Sequence, residues 1–586
     1  MKNKFLFIVA LAAAVSFSSC GGDNPAEPKP GPGPNPGPIE NILDIPDIAG
    51  KNIKGVVYCG KEPVANVVVT DGIEVTTTDE KGRYYLNSTK KSGSVSVCTP
   101  SGYNVDIIGN LPQSYRRLND SGVSVIEQHN FELKKNDKDN YVVICLADVQ
   151  IGGLYNAGQQ FVTNFLPDVN KQIQSYRSAG KDVYVFTLGD QSHDLYWYSH
   201  DIDLLKAMLY IMKVDAPFFN IMGNHDNDPY CAGDYAAERK WREINGPKNY
   251  SFNIGDIHYV MLDNIVYENE GATEGSIGPR DYKVEVTSEQ IQWLKKDLSY
   301  ITDKTTPVVV CMHAPSFEKA KMYNNETTPR IRYNADFYER AKFIEVFSDF
   351  TNVTFLTGHT HTNYCNKEGN IREYNVGAVN GSLWRSSAPG NSENNVCVDG
   401  SPAGYLILDV KKRSFVTTYK SAGYDIDYQF RSYDGNRSRI VKSKFFPNSS
   451  KTNAAAEKEI RNTITAGAVD LLDEWFTSEY RSDNMVFVNV FAWDDRWKIE
   501  MTEEGKSLKV TQINALDPYH LISLGCKMID NNEKLTNGPL PSLTAHFFKA
   551  QASSATSTVT IKVTDPYGRV YTEEMIRPKQ LALDMK

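Results

Sequence analysis

Five short polar motifs lie in the middle of the 586-residue sequence, and four of them directly follow a run of apolar residues. In chain order they read ADVQ, LGD, MGNHD, CMHAP and TGHTH. They are rich in Asp, Asn and His, and they contain four of the ten histidines of the chain. Carboxylate, amide and imidazole groups are protein ligands of divalent metals. A metal-dependent reaction is therefore the chemistry that these motifs could support.

The apolar runs before the motifs predict the elements that position them. The run YVVICLAD is a continuous apolar strand, followed by apolar residues at helical spacing and then by a second such strand, VYVFTLGD. Pro167 interrupts the helical stretch, so we expect the helix to begin or kink there. A second helix is predicted from Thr287, which can form a capping box with Gln290 before the strand PVVVCMH. This alternation indicates an α/β layered domain with polar residues at its strand ends.

The ordered set of motifs resembles that of the calcineurin-like metallophosphoesterases. One GNHD or GHTH motif alone would be weak evidence, whereas all five in order within roughly 220 residues make a chance match very improbable. The resemblance implies a central four-layer α/β/β/α domain and an enzyme whose metal-bridging hydroxide hydrolyses phosphate monoesters, diesters or pyrophosphates. Two cations about 3.5–4 Å apart can both activate water and neutralise charge on the phosphoryl oxygens.

The resemblance also implies a ligand for each position around two metals. Asp190 would bridge the metals, and each metal would have three further ligands. The first metal would be held by Asp148, Gln150 and His361, and the second by Asn224, His313 and His359.

His225 is the general acid that the resemblance implies. It would lie beside the substrate and protonate the leaving oxygen, with Asp226 orienting its ring and keeping it cationic. The other histidines are assigned structural roles by default: His129, His193, His200, His258, His520 and His546.

Gln150 departs from the commonest family pattern, which has His at this place. Gln here is similar to what is found in manganese-dependent ADP-ribose/CDP-alcohol diphosphatases, so we interpret it as a ligand. An amide oxygen is harder than an imidazole nitrogen, which favours manganese or magnesium over zinc at the first metal. The expected cofactors are thus two divalent ions, drawn from Mn, Fe, Zn or Mg, with Mn favoured at Gln150. A lost metal site in an inactive protein is the alternative.

Residues near the motifs could contact a substrate. Trp384 and Arg385 lie in a Gly- and Ser-rich stretch after the last ligand motif, where loops would overhang the metals, and Arg385 could clamp a phosphate. Tyr196, Trp197 and Tyr198 could stack a base or sugar, but they are also typical of a core, which is the favoured interpretation.

The N-terminus predicts export and lipid attachment. Lys2 and Lys4 precede an apolar stretch, and small residues lead to Cys20, as in a signal peptide over residues 1–19 and a bacterial lipobox. Phe17 departs from the Leu usual in a lipobox. The apolar run is too short for a membrane span. Residues 20–45 include a Pro- and Gly-rich tether, so we expect a lipoprotein of the cell envelope, in the periplasm or on the outer surface.

Two β-rich regions are predicted beside the α/β domain. Residues 46–136 show alternating strands and turns, and resemble the transthyretin-like, carboxypeptidase-regulatory type of β-sandwich. The α/β domain is assigned residues 137–404, and a C-terminal β-rich domain residues 405–586, with one helical stretch at 454–476. The eight cysteines after Cys20 show no CxxC spacing. Cys59 and Cys98 could pair, but small buried cysteines are favoured.

The composition of the chain limits the classes of partner that we expect. The formal net charge is -9 and no long run of Lys and Arg occurs, so nucleic acid is not expected as a partner. Phosphorylated small molecules or lipid head groups are the expected substrates, and the membrane is contacted through the lipid. Two other classes stay open: a catalytically weak or inactive glycan-binding lipoprotein that uses its β domains, and a structural envelope protein.

Overall fold

The computed structural model describes residues 42–119, 122–322, 328–384, 395–464, 475–476, 481–535 and 540–585. Cys20 and Arg385, two of the residues singled out in the sequence, lie outside these ranges. Within them, no helix combines the length and apolar character needed to cross a membrane.

Two mixed sheets form the centre of the molecule. The first contains five strands, in spatial order Phe218–Phe219, Asp182–Thr187, Asn140–Leu146, Gly404–Lys411 and Ser414–Ser421. The second contains six strands, in spatial order Asn249–Ile254, Ile257–Leu262, Val308–Cys311, Val353–Thr357, Ile371–Asn375 and Tyr364–Glu368. The three strands at one side of the first sheet run parallel, as do the middle four of the second.

The first central strand, Asn140–Leu146, explains how these sheets stack. Tyr141, Val143 and Cys145 pack between the two sheets, whereas Val142 and Ile144 pack against helices on the outer face. Successive side chains of a strand point to opposite faces, so a strand buried on both faces must be apolar throughout. The outer helices on this sheet include Ala157–Gln160, Leu166–Ser178, Leu204–Ile211 and Arg239–Asn245, and the short helix Asp234–Ala237 precedes the last of them.

The second sheet is covered on its own outer face. Ile291, Leu294 and Leu298 of helix Ser288–Ser299 pack on it, together with Phe343 of helix Arg340–Glu345. The layers therefore run helix, sheet, sheet, helix, which confirms the predicted α/β/β/α domain. The capping box of Thr287 and Gln290 is also confirmed. Pro167 lies in the first turn of helix Leu166–Ser178, directly after a π-helical turn at Phe161–Phe165.

The central sheet extends further along the chain than the sequence suggested. Strand Gly404–Lys411 pairs antiparallel with Asn140–Leu146 and then forms a hairpin with Ser414–Ser421. The Nζ of Lys420, which is 1% exposed, lies 2.8 Å from the Oδ1 of Asp168 on the covering helix. Residues 404–421 are thus part of the central sheet, and the domain boundary at residue 404 stays a prediction.

The N-terminal region is a small β-sandwich. One sheet surrounds strand Ile53–Cys59 and the other contains strand Ser94–Val97. The remaining strands are Glu62–Pro63, Val68–Thr70, Val75–Thr77, Arg83–Leu86, Tyr103–Asn104, Ile107–Ile108, Leu111–Pro112, Tyr115–Arg117, Glu127–Gln128, Phe131–Glu132 and Lys134–Lys135. The indole of Trp293 donates a hydrogen bond of 3.0 Å to Thr70, which ties this sandwich to the central domain. Cys59 and Cys98 are free thiols.

The C-terminal region is also a β-sandwich, with helices on one outer face. Its sheets contain the strands Phe430–Asp434, Met485–Val490, Thr544–Gln551 and Thr511–Ala515, and Lys506–Ser507, Lys498–Glu503, Val559–Thr564 and Val570–Met575. Its helices are Lys442–Phe445, Asn453–Thr463, Pro518–His520 and Cys526–Asp530. The helix predicted at 454–476 is present as far as Thr463, and residues 465–474 lie outside the described ranges.

Several short strands and one helical turn complete the part of the chain between residues 265 and 384. These are Ile265–Tyr267, Tyr282–Glu285 and Phe337–Tyr338 in one sheet, the hairpin Phe317–Lys321 and Arg330–Tyr333, and the turn Gly381–Trp384.

The ion pair of Lys420 and Asp168 provides a test of the extended sheet. Lys420→Met should lower the free energy of unfolding by about 3 kcal/mol, because it leaves a largely buried carboxylate without its cation. Urea denaturation of both proteins measures the difference. Lys411→Met, which alters an exposed lysine of the neighbouring strand, is the control and should change stability by less than about 0.5 kcal/mol. Equal stabilities of the two variants would contradict the structural role of the pair.

Candidate metal centre

The predicted ligands converge where strands of the two sheets end. Asp148 follows strand Asn140–Leu146, and Asp190 follows Asp182–Thr187, both in the first sheet. His313 and His359 follow two neighbouring strands of the second sheet. The carboxyl ends of parallel strands meet at one edge of a sheet, so both sheets contribute side chains to one site.

Asp190 lies at the middle of this site. Its Oδ2 is 3.3 Å from Nε2 of His313 and 3.1 Å from the side-chain nitrogen of Gln150. Its Oδ1 accepts a hydrogen bond of 2.8 Å from the backbone N–H of His225. Ligand atoms of Asp190, His313 and His359 all lie within 4.8 Å of one another, which is close enough to hold one metal ion.

The other predicted ligands lie near Asp190 in two sets of contacts. Nε2 of His313 is 3.0 Å from Oδ1 of Asn224 and 3.1 Å from Nδ1 of His359. Nε2 of His361 is 3.3 Å from Oδ1 of Asp148. The structure thus brings the seven predicted ligands together, and their division between two metals stays a prediction.

The backbone at these ligands is strained. Five of the seven predicted ligands have a left-handed backbone conformation, which non-glycine residues rarely adopt. Their φ angles are 52° at Asp148, 46° at Gln150, 55° at Asp190, 70° at His359 and 53° at His361. Such strain costs roughly 1–3 kcal/mol per residue and collects at functional sites, where the surrounding structure imposes it.

Two glycines allow the ligand loops to approach closely. A Cβ on Gly223 would lie 2.3 Å from Oδ1 of Asp190, and a Cβ on Gly189 would lie 2.3 Å from Nδ1 of His313. Nδ1 of His313 instead contacts the carbonyl of Leu188 at 2.8 Å. That hydrogen bond leaves Nε2 as the nitrogen that faces Asp190 and Asn224.

The electrostatics fit a cation site. Burial alone would raise the pKa of Asp190, but the positive charges of His313 and His225 outweigh burial and hold it well below its usual range. His313 shows the reciprocal effect: burial opposes its charged form, yet Asp190 raises its pKa to about 10. Burial and the charge of His313 lower the pKa of His359 to about 4.

Asp148 gives a direct test of whether the residues present fit a metal. It is completely buried, and its Oδ1 accepts no hydrogen bond from the residues that the structure describes. Buried carboxylate oxygens are costly unless they are paired or coordinate a metal. With its oxygen, imidazole and amide donors, the site fits divalent cations.

Gln150 is close to the site, but its amide is turned. The nitrogen faces Oδ2 of Asp190, while the oxygen lies 3.5 Å from the side-chain nitrogen of Asn380. Rotating the amide by 180° would exchange the two atoms and present the oxygen to a metal. Ligation by Gln150 therefore requires that rotation and stays a prediction.

His225 has a different partner from the predicted one. Its Nδ1 lies 2.8 Å from Oδ1 of Asp194, an aspartate four residues after Asp190. Asp226 instead accepts hydrogen bonds from the backbone N–H groups of Ser192 and Gly223, at 2.9 and 3.0 Å. The tight turn Asn224–Asp226 directs that carboxylate back onto its own loop. The structure thus corrects the sequence prediction: Asp194, and not Asp226, orients His225.

Asp194 is itself held by groups that no sequence motif indicated. Arg280 donates to its Oδ1 at 2.8 Å, and the hydroxyl of Tyr267 donates to its Oδ2 at 3.1 Å. His193 stacks on His225 with ring centroids 4.1 Å apart. Burial alone would lower the pKa of His225, but Asp190 and Asp194 outweigh burial and raise it.

Of the two predicted substrate contacts, Trp384 lies within the described residues and Arg385 lies outside them. Trp384 is 2% exposed, and its indole N–H points to the carbonyl of Val149 at 3.3 Å. It therefore packs against the loop that carries Asp148 and Gln150, and its contact with a substrate stays a prediction. Trp197 is part of the core, as favoured, whereas Tyr198 is exposed and stacks on Tyr230.

Family comparisons cover most of the chain. Residues 141–363 match the model of the calcineurin-like phosphoesterases. Residues 51–136 and 373–571 match the models of the N-terminal and C-terminal parts of calcineurin-like phosphoesterases.

Individual relatives are distant. A probable purple acid phosphatase of Arabidopsis thaliana is 26% identical over 135 residues, which are 21% of this chain and 28% of the relative. The chain thus spans little more than a quarter of the length of that curated relative. A purple acid phosphatase from yellow lupin seeds is 13% identical, with a TM-score of 0.30, over 61% of this chain and 67% of that one. A putative 5′-nucleotidase from Staphylococcus aureus is 12% identical, with a TM-score of 0.31, over 62% and 74%.

The three family matches follow one another along the chain, and the central one contains the site built around Asp190. The chain therefore belongs to the calcineurin-like phosphoesterase family.

Proposed function

We propose that the chain hydrolyses phosphate esters with two divalent ions held on the two sides of Asp190. The proposal is supported by the contacts around this carboxylate. Gln150 and His313 contact it directly, Asn224 and His359 contact His313, and His361 contacts Asp148 nearby. The first metal in particular is supported by Oδ1 of Asp148, which is buried and accepts no hydrogen bond from the described residues.

Two divalent ions bound here would supply a strong nucleophile from water and neutralise the phosphoryl oxygens. The water oxygen would form the new bond to phosphorus as the bond to the leaving oxygen breaks. The leaving oxygen then needs a proton, unless it belongs to a good leaving group. The side chains of His225 and His361 are 22% and 23% exposed, so a phosphate ester can reach this site from solvent.

His225 is placed to give that proton. The contact between its Nδ1 and Asp194 fixes the ring, and its Nε2 lies 4.0 Å from Oδ2 of Asp190, towards the metals. Donation of Nδ1–H to a carboxylate stabilises the cationic ring, which can then release the Nε2 proton to the leaving oxygen. Arg280 and Tyr267 hold the carboxylate of Asp194 in position on its other side.

Small phosphorylated molecules outside the cell are the proposed substrates, namely nucleotides, lipid head groups or sugars. This part of the proposal depends on export and on a lipid anchor at Cys20, in the cell envelope. Its support is the sequence of the first 45 residues, with Lys2 and Lys4, the apolar stretch, Cys20 and the Pro- and Gly-rich tether.

Cys20→Ala tests the anchor. In cells fed labelled palmitate, the wild-type chain should incorporate the label and partition into the membrane fraction, and the variant should do neither. Gel autoradiography after fractionation measures both. Labelling of the variant at the wild-type level would contradict lipidation at Cys20.

Metal content separates the bridging ligand from a ligand to one metal. Asp190→Ala should lose both metals, because both share its carboxylate, whereas Gln150→Ala should lose only the first. Elemental analysis after loading with manganese measures the metals bound per chain. Asp256→Ala, which changes an exposed turn, is the matched control and should bind as the wild type does.

Two further outcomes sharpen this test. Gln150→His should raise the affinity for zinc relative to manganese, because imidazole suits zinc better than an amide does. Retention of two metals by Asp190→Ala would contradict the bridge, and full occupancy in Gln150→Ala would show that Gln150 is no ligand.

Two substrates with different leaving groups test the roles of His225 and Asp194. His225→Ala and Asp194→Asn should both reduce kcat for glycerol 2-phosphate by about 10²-fold or more, but have a much smaller effect with p-nitrophenyl phosphate, whose leaving group needs no proton. Asp203→Asn, a helix-capping aspartate away from the site, is the control and should affect neither substrate. Equal losses on both substrates would show that the pair acts on something other than the leaving oxygen.

A further inference from the structure

A cavity of about 670 Å³ opens beside the metal centre, between the central and C-terminal domains. Its volume lies in the range of small-molecule sites. Tyr282 and His359 line the end next to the metals, strand Phe317–Lys321 provides Lys319 and other lining residues, and Ser542 lines the cavity from the C-terminal domain. A ligand at the metals could therefore extend directly into this space.

Lys319 is the unusual feature of the cavity. Among the described residues, the polar contact of its ammonium is a hydrogen bond to the hydroxyl of Ser542, and no carboxylate forms an ion pair with it. Burial lowers its pKa to about 8 despite the opposing charge of Asp399, so the side chain is mostly charged at pH 7. An ammonium has three hydrogens to donate, and this one has a single neutral partner. A partly buried cation in that position favours an anionic ligand.

The two carboxylates whose charges act most on Lys319 already bind other groups. Glu318 pairs with Arg332 at 2.6 Å. Asp399 accepts hydrogen bonds from the backbone N–H groups of Asn363 and Ser401, at 3.0 and 3.1 Å. Neither can turn to neutralise the ammonium without breaking these contacts.

The elements that hold Lys319 are fixed at both ends. Asn514 of the C-terminal domain contacts the backbone N–H and the carbonyl of Met322, at 3.3 and 2.6 Å. Asn366 donates to the carbonyl of Glu318 at 2.9 Å, and the backbone N–H of Ser542 donates to Val398 at 2.6 Å. The ammonium is thus positioned before any ligand arrives, which reduces the entropic cost of binding.

The two ends of the cavity differ in charge. Asp336 is exposed at the mouth, on the side of Tyr282, and would repel an anionic group there. Lys319 attracts one deeper in the cavity. Thr360 and Thr362 also line the cavity. This arrangement suits a polar leaving group whose far end is anionic.

We propose that this cavity is the leaving-group subsite of the phosphoesterase, and that Lys319 selects leaving groups with a second anionic group, either phosphate or carboxylate. The inference rests on the proposed function, because it takes the metals beside His359 as the place where the ester bond is cleaved. It assigns the C-terminal domain, through Ser542, a direct part in substrate choice.

Three phosphate monoesters with the same four-carbon chain test the proposal. They are the monophosphates of 1,4-butanediol and of 4-hydroxybutyrate, and 1,4-butanediol bisphosphate, with a neutral, a carboxylate and a phosphate far end. The wild-type protein loaded with manganese should have a lower KM for one or both anionic esters. Lys319→Met should raise that KM about tenfold to a hundredfold. It should change little in kcat, and little in the KM of the neutral ester. Lys342→Met, which removes an exposed lysine elsewhere, should change none of these values.

The possible outcomes distinguish failure of the proposed subsite from failure of the proposed function. Wild-type cleavage of p-nitrophenyl phosphate without any preference among the three esters would overturn the subsite but leave the proposed function intact. Equal losses on all three esters in a folded Lys319→Met protein would also overturn it, because a supporting role does not depend on the far end of the substrate. Absence of cleavage of every ester by the wild type would overturn the proposed function itself. Binding of inorganic phosphate to Lys319→Ala as tightly as to the wild type would agree with selection by the far end alone.

Discussion

The structure depends on keeping the carboxylate of Asp190 charged in a place that water does not reach. Burial penalises that charge, and the penalty is offset by cationic and N–H groups that come from both central sheets. No single loop could deliver such a set, because His313 comes from the second sheet and His225 from a loop of the first. The stacking of the two sheets, with their strand ends at one edge, is what makes the site possible.

The same requirement explains the strained backbone at the ligands. Left-handed conformations at Asp148 and Asp190 turn the chain sharply after a buried strand, so that the carboxylates face inward and not along the strand. Glycines beside the ligands remove the side chains that would otherwise collide with the opposing loop. The fold therefore tolerates an unfavourable local geometry to hold donor groups where cations stabilise them.

The sequence predicted residues that the structure brings together around Asp190, because they lie in short motifs, most of which directly follow an apolar strand. It could not distinguish Asp194 from Asp226 as the partner of His225, since both are near in sequence and only the turn Asn224–Asp226 decides where each carboxylate points. Arg280 lies in a distant loop without a motif. The sequence did not indicate that strands Gly404–Lys411 and Ser414–Ser421 complete the central sheet, because such strands have the same apolar pattern as those of a separate β domain. Lys319 became notable only when its neighbours were known.

The hydrogen bonds between strand Asn140–Leu146 and strand Gly404–Lys411 join parts of the chain that are far apart in sequence. Until the later strand arrives, the earlier one has an unpaired edge rich in Val and Ile, and such edges recruit other chains. Contacts between distant segments also form slowly. The molecule thus has a vulnerable interval during folding, in which a chain interrupted before the end of this sheet would be prone to aggregate as well as inactive.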